Sequence, residues 1–362
     1  MRIPILQAPF IPLDIELCGG LERIEIEEVT RFNKMGHKSE LYVSKYTGNY
    51  SKKPGWVKII NDHGWWNNRL LKWLYPIKFV IKNIGADVYV GYYTPYLALI
   101  AGRKAFIHFQ GLAVKGLPLY QYEWARNRYH KAHYVFCAKH VKSDFLKIYP
   151  DIPEKQLHVI YNGIDAERFT PNPTINKITK LSFHGRWTES KGILKLIDAL
   201  RILEDQGLAF EAVIAGGSGV GISPKGEEYT DKVFAAAKGL KNVSFCGPIK
   251  YNELPQFIQK MDFCIVPSIN QDPFPLVPLE IMACGRPIIA FRAGGLTEAI
   301  DERKEGLLVE LNNIEELAKA IKTMIENKTL REEMGLKARQ KVLKLFTWEK
   351  HCADLFDLYK KV

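Results

Sequence analysis

The sequence QDPFPLVPLEIMACGRPIIAFRAGGLTEAI at residues 271–300 combines a helix signal with a following strand signal. The apolar run 287–291 lies inside this stretch, and a second run, 263–267, comes just before it. Both runs are short and bounded by turn residues, which is typical of buried parallel strands. The sequence predicts one helix between them, starting near Leu276. Strand, helix and strand in this order form the unit from which doubly wound α/β sheets are built.

Two carboxylates, Asp272 and Glu280, lie close to the start of this helix. The first N–H groups of a helix lack partners inside it, so the loop leading into the helix suits anionic phosphate oxygens. Asp272 lies in that loop. Glu280 follows about one turn into the helix, where its carboxylate can accept hydrogen bonds from the two hydroxyls of a ribose. The arrangement suits a nucleotide-sugar; alternatively, Asp272 only caps the helix and Glu280 only lies on a solvated face.

Three segments of this region resemble the signature of glycosyltransferase family 4: DPF at 272–274, EIMACGRP at 280–287 and AGGLTEAI at 293–300. The resemblance implies a retaining enzyme of the GT-B fold. It also implies that Phe274 and the N–H groups of Leu276 and Val277 lie beside the bound donor. The family usually has Glu where Asp272 stands and Gly where Pro275 stands, so this chain has a shorter carboxylate and lacks one backbone donor.

The composition is that of a globular protein, with 362 residues, 47% hydrophobic and 25% charged. This length suits two domains. No apolar run is long enough to span a membrane, and residues 1–17 lack the apolar core of a signal peptide, so we expect a cytoplasmic protein, possibly peripheral on the inner face of the plasma membrane. The six scattered cysteines predict reduced core residues, with neither disulfides nor zinc.

The net charge of +11 is concentrated in residues 51–150, which contain 16 Lys and Arg against 4 Asp and Glu, together with five of the seven tryptophans. Basic residues between aromatic ones fit an anionic membrane surface or a lipid-linked phosphate acceptor. They also fit nucleic acid or an ordinary solvated face. The segment 65–82 predicts an amphipathic basic helix, kinked at Pro76, as the best candidate for this surface.

Strands and helices alternate along both halves of the chain, which predicts two Rossmann-like, doubly wound domains. The resemblance implies that they face a central cleft. The stiff segment Pro171-Asn172-Pro173 predicts a linker between domains. We therefore expect an N-terminal acceptor-binding domain at 1–170, a C-terminal nucleotide-sugar-binding domain at 171–345, and a helix at 346–362 that crosses back to the first domain.

Two sites are predicted in the first domain. Gly19 and Gly20 follow the first strand and open the first helix, where backbone can approach a ligand; a plain turn explains them equally well from the sequence alone. The family resemblance implies a donor-side role for both glycines. His108 ends the strand 105–109, and ligands approach doubly wound sheets beyond the carboxyl ends of strands. The resemblance implies that His108 contacts the transferred sugar.

The second domain begins with a strand, and Arg186 and Lys191 then bracket the start of the next helix. Fixed cations beside free N–H groups suit a leaving nucleoside diphosphate, and the family pattern assigns these two residues to that group. Gly216 follows the next strand in a glycine loop. Ile249 lies in a turn that, by the resemblance, packs on the nucleobase.

The residues and the family resemblance together imply a retaining, metal-independent glycosyltransferase, with Asp272, Arg186, Lys191 and His108 as catalytic residues. We expect no cofactor and no Asp-x-Asp metal site, a UDP- or GDP-sugar donor, and a glycan or lipid-linked acceptor used in cell-surface polysaccharide or glycolipid synthesis. The alternatives are a phosphorylase or epimerase of the same fold, or a basic nucleic-acid-binding protein without catalysis. No RNA-binding fingerprint is present, so we expect no nucleic acid partner.

Overall fold

The computed structural model describes residues 1–8, 12–15, 19–60, 73–111, 117–172, 176–217 and 224–362. The chain forms two compact units. One comprises Met1–Gly163 together with Trp348–Val362, and the other comprises Ile164–Thr347. The sequence predicts boundaries after residues 170 and 345, a few residues away from these.

The first unit is built on a parallel sheet. Its described strands are β1 (Arg2–Leu6), β2 (Lys38–Val43), β3 (Val57–Ile59), β4 (Tyr89–Tyr92), β5 (Ala105–Phe109), β6 (His133–Phe136) and β7 (Leu157–Val159). They pair in the order β3-β2-β1-β4-β5-β6-β7, and every pair is parallel. The helices before residue 164 are α1 (Gly20–Lys34), α2 (Leu74–Lys82), α3 (Tyr96–Ala101), α4 (Glu123–Tyr129) and α5 (Lys139–Ile148).

The second unit repeats this architecture. Its described strands are β8 (Lys180–Arg186), β9 (Glu211–Gly217), β10 (Val243–Cys246), β11 (Phe263–Val266), β12 (Ile288–Phe291) and β13 (Gly306–Val309). Its helices are α6 (Ile193–Asp205), α7 (Pro224–Ala236), α8 (Leu254–Gln259), α9 (Leu276–Ala283), α10 (Leu296–Ala299), α11 (Ile314–Glu326) and α12 (Lys328–Leu345). The strands pair in parallel in the order β10-β9-β8-β11-β12-β13, so the strand order reverses between β8 and β11.

The predicted strand, helix and strand around residues 271–300 are confirmed. β11 pairs with β12, and α9 connects them, beginning at Leu276. All four residues of each strand are buried, because helices cover both faces of a parallel sheet and leave no solvated side that would require alternating polar residues. The α/β fold class is likewise confirmed by the two parallel sheets.

The last helix, α13 (Trp348–Tyr359), belongs to the first unit although it follows the second along the chain. The ring of Phe356 on α13 stacks on the ring of His37, which follows the end of α1, with the two ring centroids 4.2 Å apart. A buried hydrogen bond joins the same two helices, from His351 to Glu28 of α1. Polar and aromatic contacts therefore both fix α13 to α1.

The predicted helix at 65–82 lies partly outside the described residues, which resume at residue 73. The described part, α2, begins at Leu74, so Pro76 occupies its first turn. A proline there causes no kink, because the N–H groups of a first turn have no intrahelical acceptor. The predicted kink at Pro76 is therefore wrong for the described helix.

No helix in the described part of the chain is long and apolar enough to cross a membrane. Four of the cysteines with described positions are buried and reduced: Cys137, Cys264, Cys284 and Cys352. Cys246 is also reduced but exposed, contrary to the expectation of a core position for most cysteines, because it ends the edge strand β10. Cys18 lies outside the described residues.

Candidate functional site

The candidate site lies at the carboxyl ends of β8 and β11, where the strand order of the second sheet reverses. Arg186 is the last residue of β8, Lys191 lies in the loop that follows, and Asp272 lies in the loop after β11. A reversal of this kind leaves a crevice beyond the strand ends, which is where doubly wound sheets bind ligands. The topology thus brings together side chains that are far apart in the sequence.

Lys191 and Asp272 form an ion pair in this crevice. The ammonium Nζ of Lys191 donates to Oδ2 of Asp272 at 2.5 Å, and each side chain is about one quarter exposed, at 24% and 23%. The backbone N–H of Ile269 also donates to the carbonyl oxygen of Ser190 at 2.9 Å, which ties the same two loops together. An ammonium has three N–H donors, so two remain for a ligand at this position.

Arg186 projects from the end of β8 and is exposed. Among the described residues, no ion pair or side-chain hydrogen bond to its guanidinium is found. The next residue, Trp187, is 3% exposed, and its backbone N–H donates to the carbonyl oxygen of Gly217 at 2.7 Å. This anchor fixes the chain immediately after Arg186 while the guanidinium stays available to an anion.

Gly216 lies at the neighbouring strand end, in β9 next to β8. An added Cβ at this position would lie 1.9 Å from the carbonyl oxygen of Gly185. Any residue larger than glycine would therefore force the ends of β8 and β9 apart. The structure thus gives Gly216 a packing role at the rim of the crevice. The rest of the predicted glycine loop, residues 218 and 219, lies outside the described part of the chain.

The loop that carries Asp272 is held by a second loop at Gly294 and Gly295. The N–H of Gly295 donates to the carbonyl oxygen of Asp272 at 2.8 Å, and the N–H of Gly294 donates to Oε1 of Gln271 at 2.7 Å. Gly294 has a φ of +48°, and an added Cβ would lie 2.5 Å from the Asp272 carbonyl oxygen. The AGG segment of the sequence therefore positions the Asp272 loop through backbone contacts.

The amino end of α9 faces this loop. Pro275 is the N-cap, and no side chain of the described residues caps the helix, so the N–H groups of Leu276 and Val277 lack a capping acceptor there. Phe274 is 4% exposed, and its ring packs edge-on against that of Phe346 at a centroid distance of 5.5 Å. The side chain of Phe274 thus anchors the loop in the core, and its place beside the donor stays a prediction.

Glu280 lies on α9 with only 7% of its surface exposed. Its Oε2 is 3.5 Å from Nε2 of His184, a residue of β8 that the sequence analysis did not single out. A charged residue this buried requires a partner, and carboxylate oxygens here can accept hydrogen bonds from a ligand. Ile249, predicted beside the nucleobase, is half-buried just after the edge strand β10.

In the first unit, Gly19 is the N-cap of α1 and Gly20 its first residue, and both are exposed. Neither has a positive φ, and an added Cβ at Gly20 would meet no heavy atom of the described residues within 4 Å. The backbone therefore does not require glycine at these positions. A donor-side role for the pair stays a prediction.

His108 lies where the sequence predicts, in β5, but its side chain points into the core of the first unit. It is 1% exposed; its Nε2 lies 3.1 Å from the hydroxyl of Tyr359 on α13, and its Nδ1 lies 3.8 Å from Oε1 of Glu28 on α1. Burial lowers the pKa of His108 to about 4. The predicted contact with the transferred sugar is corrected accordingly: β5 is buried along its whole length, and His108 belongs to an internal polar network.

Two family models match consecutive parts of the chain. The model described as Glycosyltransferase Family 4 matches residues 18–168, and the model described as Glycosyl transferases group 1 matches residues 166–341. The chain belongs to glycosyltransferase family 4. The family assignment made from residues 272–300 is thereby confirmed, and the two matches together extend over residues 18–341.

A curated relative and two solved structures are similar to this chain. An uncharacterized glycosyltransferase of Methanocaldococcus jannaschii is 30% identical over 205 residues, which cover 56% of this chain and about half, 53%, of that relative. A glycosyltransferase structure from Rickettsia africae matches with a TM-score of 0.82 and 21% identity, covering 99% of this chain and 98% of that one. Anabaena HepE, solved in complex with UDP, matches with a TM-score of 0.79 and 19% identity, covering 100% of both chains. These likenesses confirm the GT-B fold.

Two buried acidic residues of α1, Glu25 and Glu28, were not predicted from the sequence. Both are fully buried on α1, and Glu25 accepts a hydrogen bond from Nε2 of Gln7 at 2.8 Å. Glu28 accepts from Tyr92 at 2.5 Å and lies 3.0 Å from Nε2 of His351. The sequence does indicate that these glutamates are buried, because both fall on the same helical face as Phe32, at the spacing expected of apolar core positions.

Gln110 was also missed, one residue beyond the end of β5. It is half-buried, and its Oε1 is buried without a hydrogen-bond partner among the described residues. On a continuous strand, the side chains of His108 and Gln110 would point to the same face. The strand ends at Phe109, however, so Gln110 lies just beyond its carboxyl end. Gln110, rather than His108, therefore places a polar group at this strand end.

Proposed function

We propose that this protein transfers a sugar from a nucleoside diphosphate sugar to an acceptor hydroxyl, with retention of configuration and without a metal ion. The observation that carries the proposal is the 2.5 Å contact between Lys191, the predicted diphosphate cation, and Asp272, the predicted sugar-binding carboxylate. In a nucleoside diphosphate sugar, the bond that breaks joins the sugar to the diphosphate. A cation for the diphosphate and a carboxylate for the sugar that lie next to each other can therefore bind the donor on the two sides of this bond.

The leaving group accumulates negative charge on its bridging oxygen as the glycosidic bond breaks. Arg186 supplies an exposed guanidinium at the end of β8, and Lys191 supplies two further N–H donors. The uncapped N–H groups at the start of α9 add donors at the same crevice. Charges and dipoles fixed before the reaction stabilise developing charge without reorganising, which is the main way enzymes lower such barriers.

The sugar side of the site rests on the Asp272 loop. The carboxylate has acceptor capacity beyond its bond to Lys191, so it can accept from a sugar hydroxyl. Pro275 offers no N–H to the sugar, and the neighbouring N–H groups of Leu276 and Val277 are the nearest backbone donors along the helix start. Glu280 is proposed to accept from the ribose hydroxyls. Retention is proposed to follow the family's front-face reaction, in which the departing phosphate helps to take the acceptor proton.

The acceptor is proposed to be a glycan or lipid-linked molecule used in cell-surface polysaccharide or glycolipid synthesis, with peripheral contact to anionic membrane. A groove in the first unit is lined by Tyr50, Ile59, Ile60, Lys78, Ile81 and Lys82. Tyr50 is 62% exposed and Ile81 61% exposed. Exposed apolar side chains beside cations suit the boundary between lipid headgroups and acyl chains.

The catalytic proposal is tested by transfer assays with UDP-, GDP- and ADP-sugars in EDTA. We expect Arg186→Ala and Lys191→Ala each to lower turnover roughly a hundredfold or more, because each removes a charge that stabilises the leaving group. Lys180→Ala is the matched control: it removes a cation at the opposite end of the same strand, where Lys180 pairs with Glu211 at 2.8 Å. Wild-type turnover in both site variants, or a strict Mg²⁺ requirement, would contradict the mechanism.

The membrane proposal is tested by vesicle sedimentation. Wild-type protein should bind vesicles containing anionic lipid at low salt and release them as salt screens the charges over a Debye length of roughly 8 Å at physiological ionic strength. The double variant Lys78→Glu and Lys82→Glu should lose binding, whereas the same change at the exposed Lys337 and Lys344 of α12 should not. Equal binding by both double variants would place the contact elsewhere, and binding of an oligonucleotide instead of vesicles would favour the nucleic-acid alternative.

A further inference from the structure

His184 is a buried histidine near the carboxyl end of β8. It lies in β8 two residues before Arg186, with 7% of its surface exposed, and both Nδ1 and Nε2 are unpartnered among the described residues. Buried polar atoms in native proteins are nearly always paired, and exceptions point to water, a ligand or a catalytic role. His184 lies near the carboxyl end of β8, the strand end at which a doubly wound sheet binds ligands, so a ligand is the relevant possibility.

Glu280 is the charged group that faces the His184 ring. Its Oε2 lies 3.5 Å from Nε2, which is longer than an ordinary N–H···O hydrogen bond. On the other side, Phe257 of α8 meets the ring edge-on at 6.2 Å and offers no hydrogen-bonding group. The imidazole and the carboxylate are thus held next to each other with hydrogen-bonding capacity left on both.

A hydroxyl group fits this pair because it donates one hydrogen bond and accepts others. Glu280 alone provides acceptors, so a hydroxyl bound to it still has unpaired oxygen lone pairs. The tautomer of His184 with its hydrogen on Nε2 provides the missing donor. No protonated imidazolium is needed, and the pair then offers a ligand one acceptor group and one donor group side by side.

We propose that His184 is a further donor-site residue, whose Nε2–H donates to a ribose hydroxyl that donates in turn to Glu280. The proposal rests on the proposed nucleoside diphosphate sugar donor. The hydrogen bonds of His184 and Glu280 to a hydroxyl make the site specific for a ribose. A nucleotide without the 2′ and 3′ hydroxyls leaves both the imidazole and the carboxylate buried and without a ligand partner. Discrimination against a ligand that lacks a hydroxyl is strongest where the site is built to bond that hydroxyl.

Calorimetric titration of the full chain compares UDP, GDP and ADP with their 2′,3′-dideoxy counterparts. Wild-type protein should bind the preferred ribonucleotide more tightly than its dideoxy form. His184→Phe keeps a ring of similar size without a donor and should weaken ribonucleotide binding by up to about tenfold while leaving dideoxynucleotide binding nearly unchanged. His184→Gln keeps an N–H donor and should retain part of the preference for ribose.

A second measurement does not depend on the folding of a variant. In wild-type protein labelled with ¹⁵N-histidine, the ribonucleotide should shift the His184 ring resonance, whereas the dideoxynucleotide should shift it much less. A ribose preference that is equal in wild type and His184→Phe, or a ring resonance that both nucleotides shift equally, would overturn the role of His184 alone. Failure of all three ribonucleotides to bind would overturn the proposed donor as well.

Discussion

Replacing Gly294 by alanine tests how the Asp272 loop is positioned. Gly294 has a φ of +48°, and the added Cβ would lie 2.5 Å from the carbonyl oxygen of Asp272 and 2.9 Å from the carbonyl carbon of Gln271. Both neighbours are backbone atoms, so the clash is relieved only if one loop moves away from the other. Movement breaks or lengthens the 2.8 Å hydrogen bond from the Gly295 N–H to the Asp272 carbonyl oxygen.

The expected cost has two parts. Alanine in the left-handed region costs about 1 kcal/mol, and loss of the hydrogen bond to Asp272 costs about 1 kcal/mol more. We therefore expect Gly294→Ala to lower the free energy of unfolding by roughly 2 kcal/mol. Turnover should also fall, because a catalytic group displaced by about 1 Å can lose roughly a hundredfold in rate.

Gly207→Ala is the matched control. Gly207 has a φ of +73°, but within the described part of the chain an added Cβ there would meet no heavy atom within 4 Å, so the substitution introduces backbone strain without the clash. We expect it to cost about 1 kcal/mol and to leave turnover at the wild-type value. Urea unfolding and initial transfer rates measure the two effects. Equal stability loss and unchanged turnover in both variants would refute the positioning role of Gly294.

Three further predictions concern the buried polar groups and the sugar carboxylate. Burial lowers the pKa of His108 from its ordinary value of 6.5 to about 4, so between these pH values the unfolded chain binds a proton that the folded chain does not. The free energy of unfolding should therefore fall by about 3 kcal/mol as the pH drops from 6.5 to 4. Measured by urea unfolding, this dependence on pH should be weaker for His108→Asn. His351→Leu removes the histidine whose Nε2 lies 3.0 Å from the buried carboxylate of Glu28, and it should lower the free energy of unfolding by about 3 kcal/mol or more. The double variant with Glu28→Leu should lose less stability, because no buried charge is then left without that partner, and a double-mutant cycle measures the difference. Asp272→Asn should lower kcat more than it raises the donor KM, and full activity in steady-state assays would exclude a role in transfer.

The second unit could be predicted well because its decisive features are local. Apolar runs set β11 and β12, and Pro275 next to an apolar segment sets the start of α9. The contact between Lys191 and Asp272 joins residues 81 positions apart, yet it follows from topology. Parallel strands end at the same edge of a sheet, so residues just beyond neighbouring strands meet there.

The first unit shows where such reasoning fails. β5 is buried on both faces, so its sequence has no polar alternation to indicate the direction in which His108 points. The partners of the buried network, Glu28 and His351, are 323 residues apart and meet only because α13 packs on α1. Nothing local predicts a pairing of this kind, although the glutamates on the apolar face of α1 indicate that partners must exist.

The central claim is that Arg186 and Lys191 hold the diphosphate of a nucleoside diphosphate sugar. Titration of UDP, GDP and ADP into wild-type protein and into Arg186→Ala, Lys191→Ala and Lys180→Ala measures this most directly. We predict that one nucleoside diphosphate binds wild type and Lys180→Ala equally well and binds both site variants at least about tenfold more weakly, as expected when a charged hydrogen bond is lost. Binding of the same strength to all four proteins, or to none, would contradict the claim.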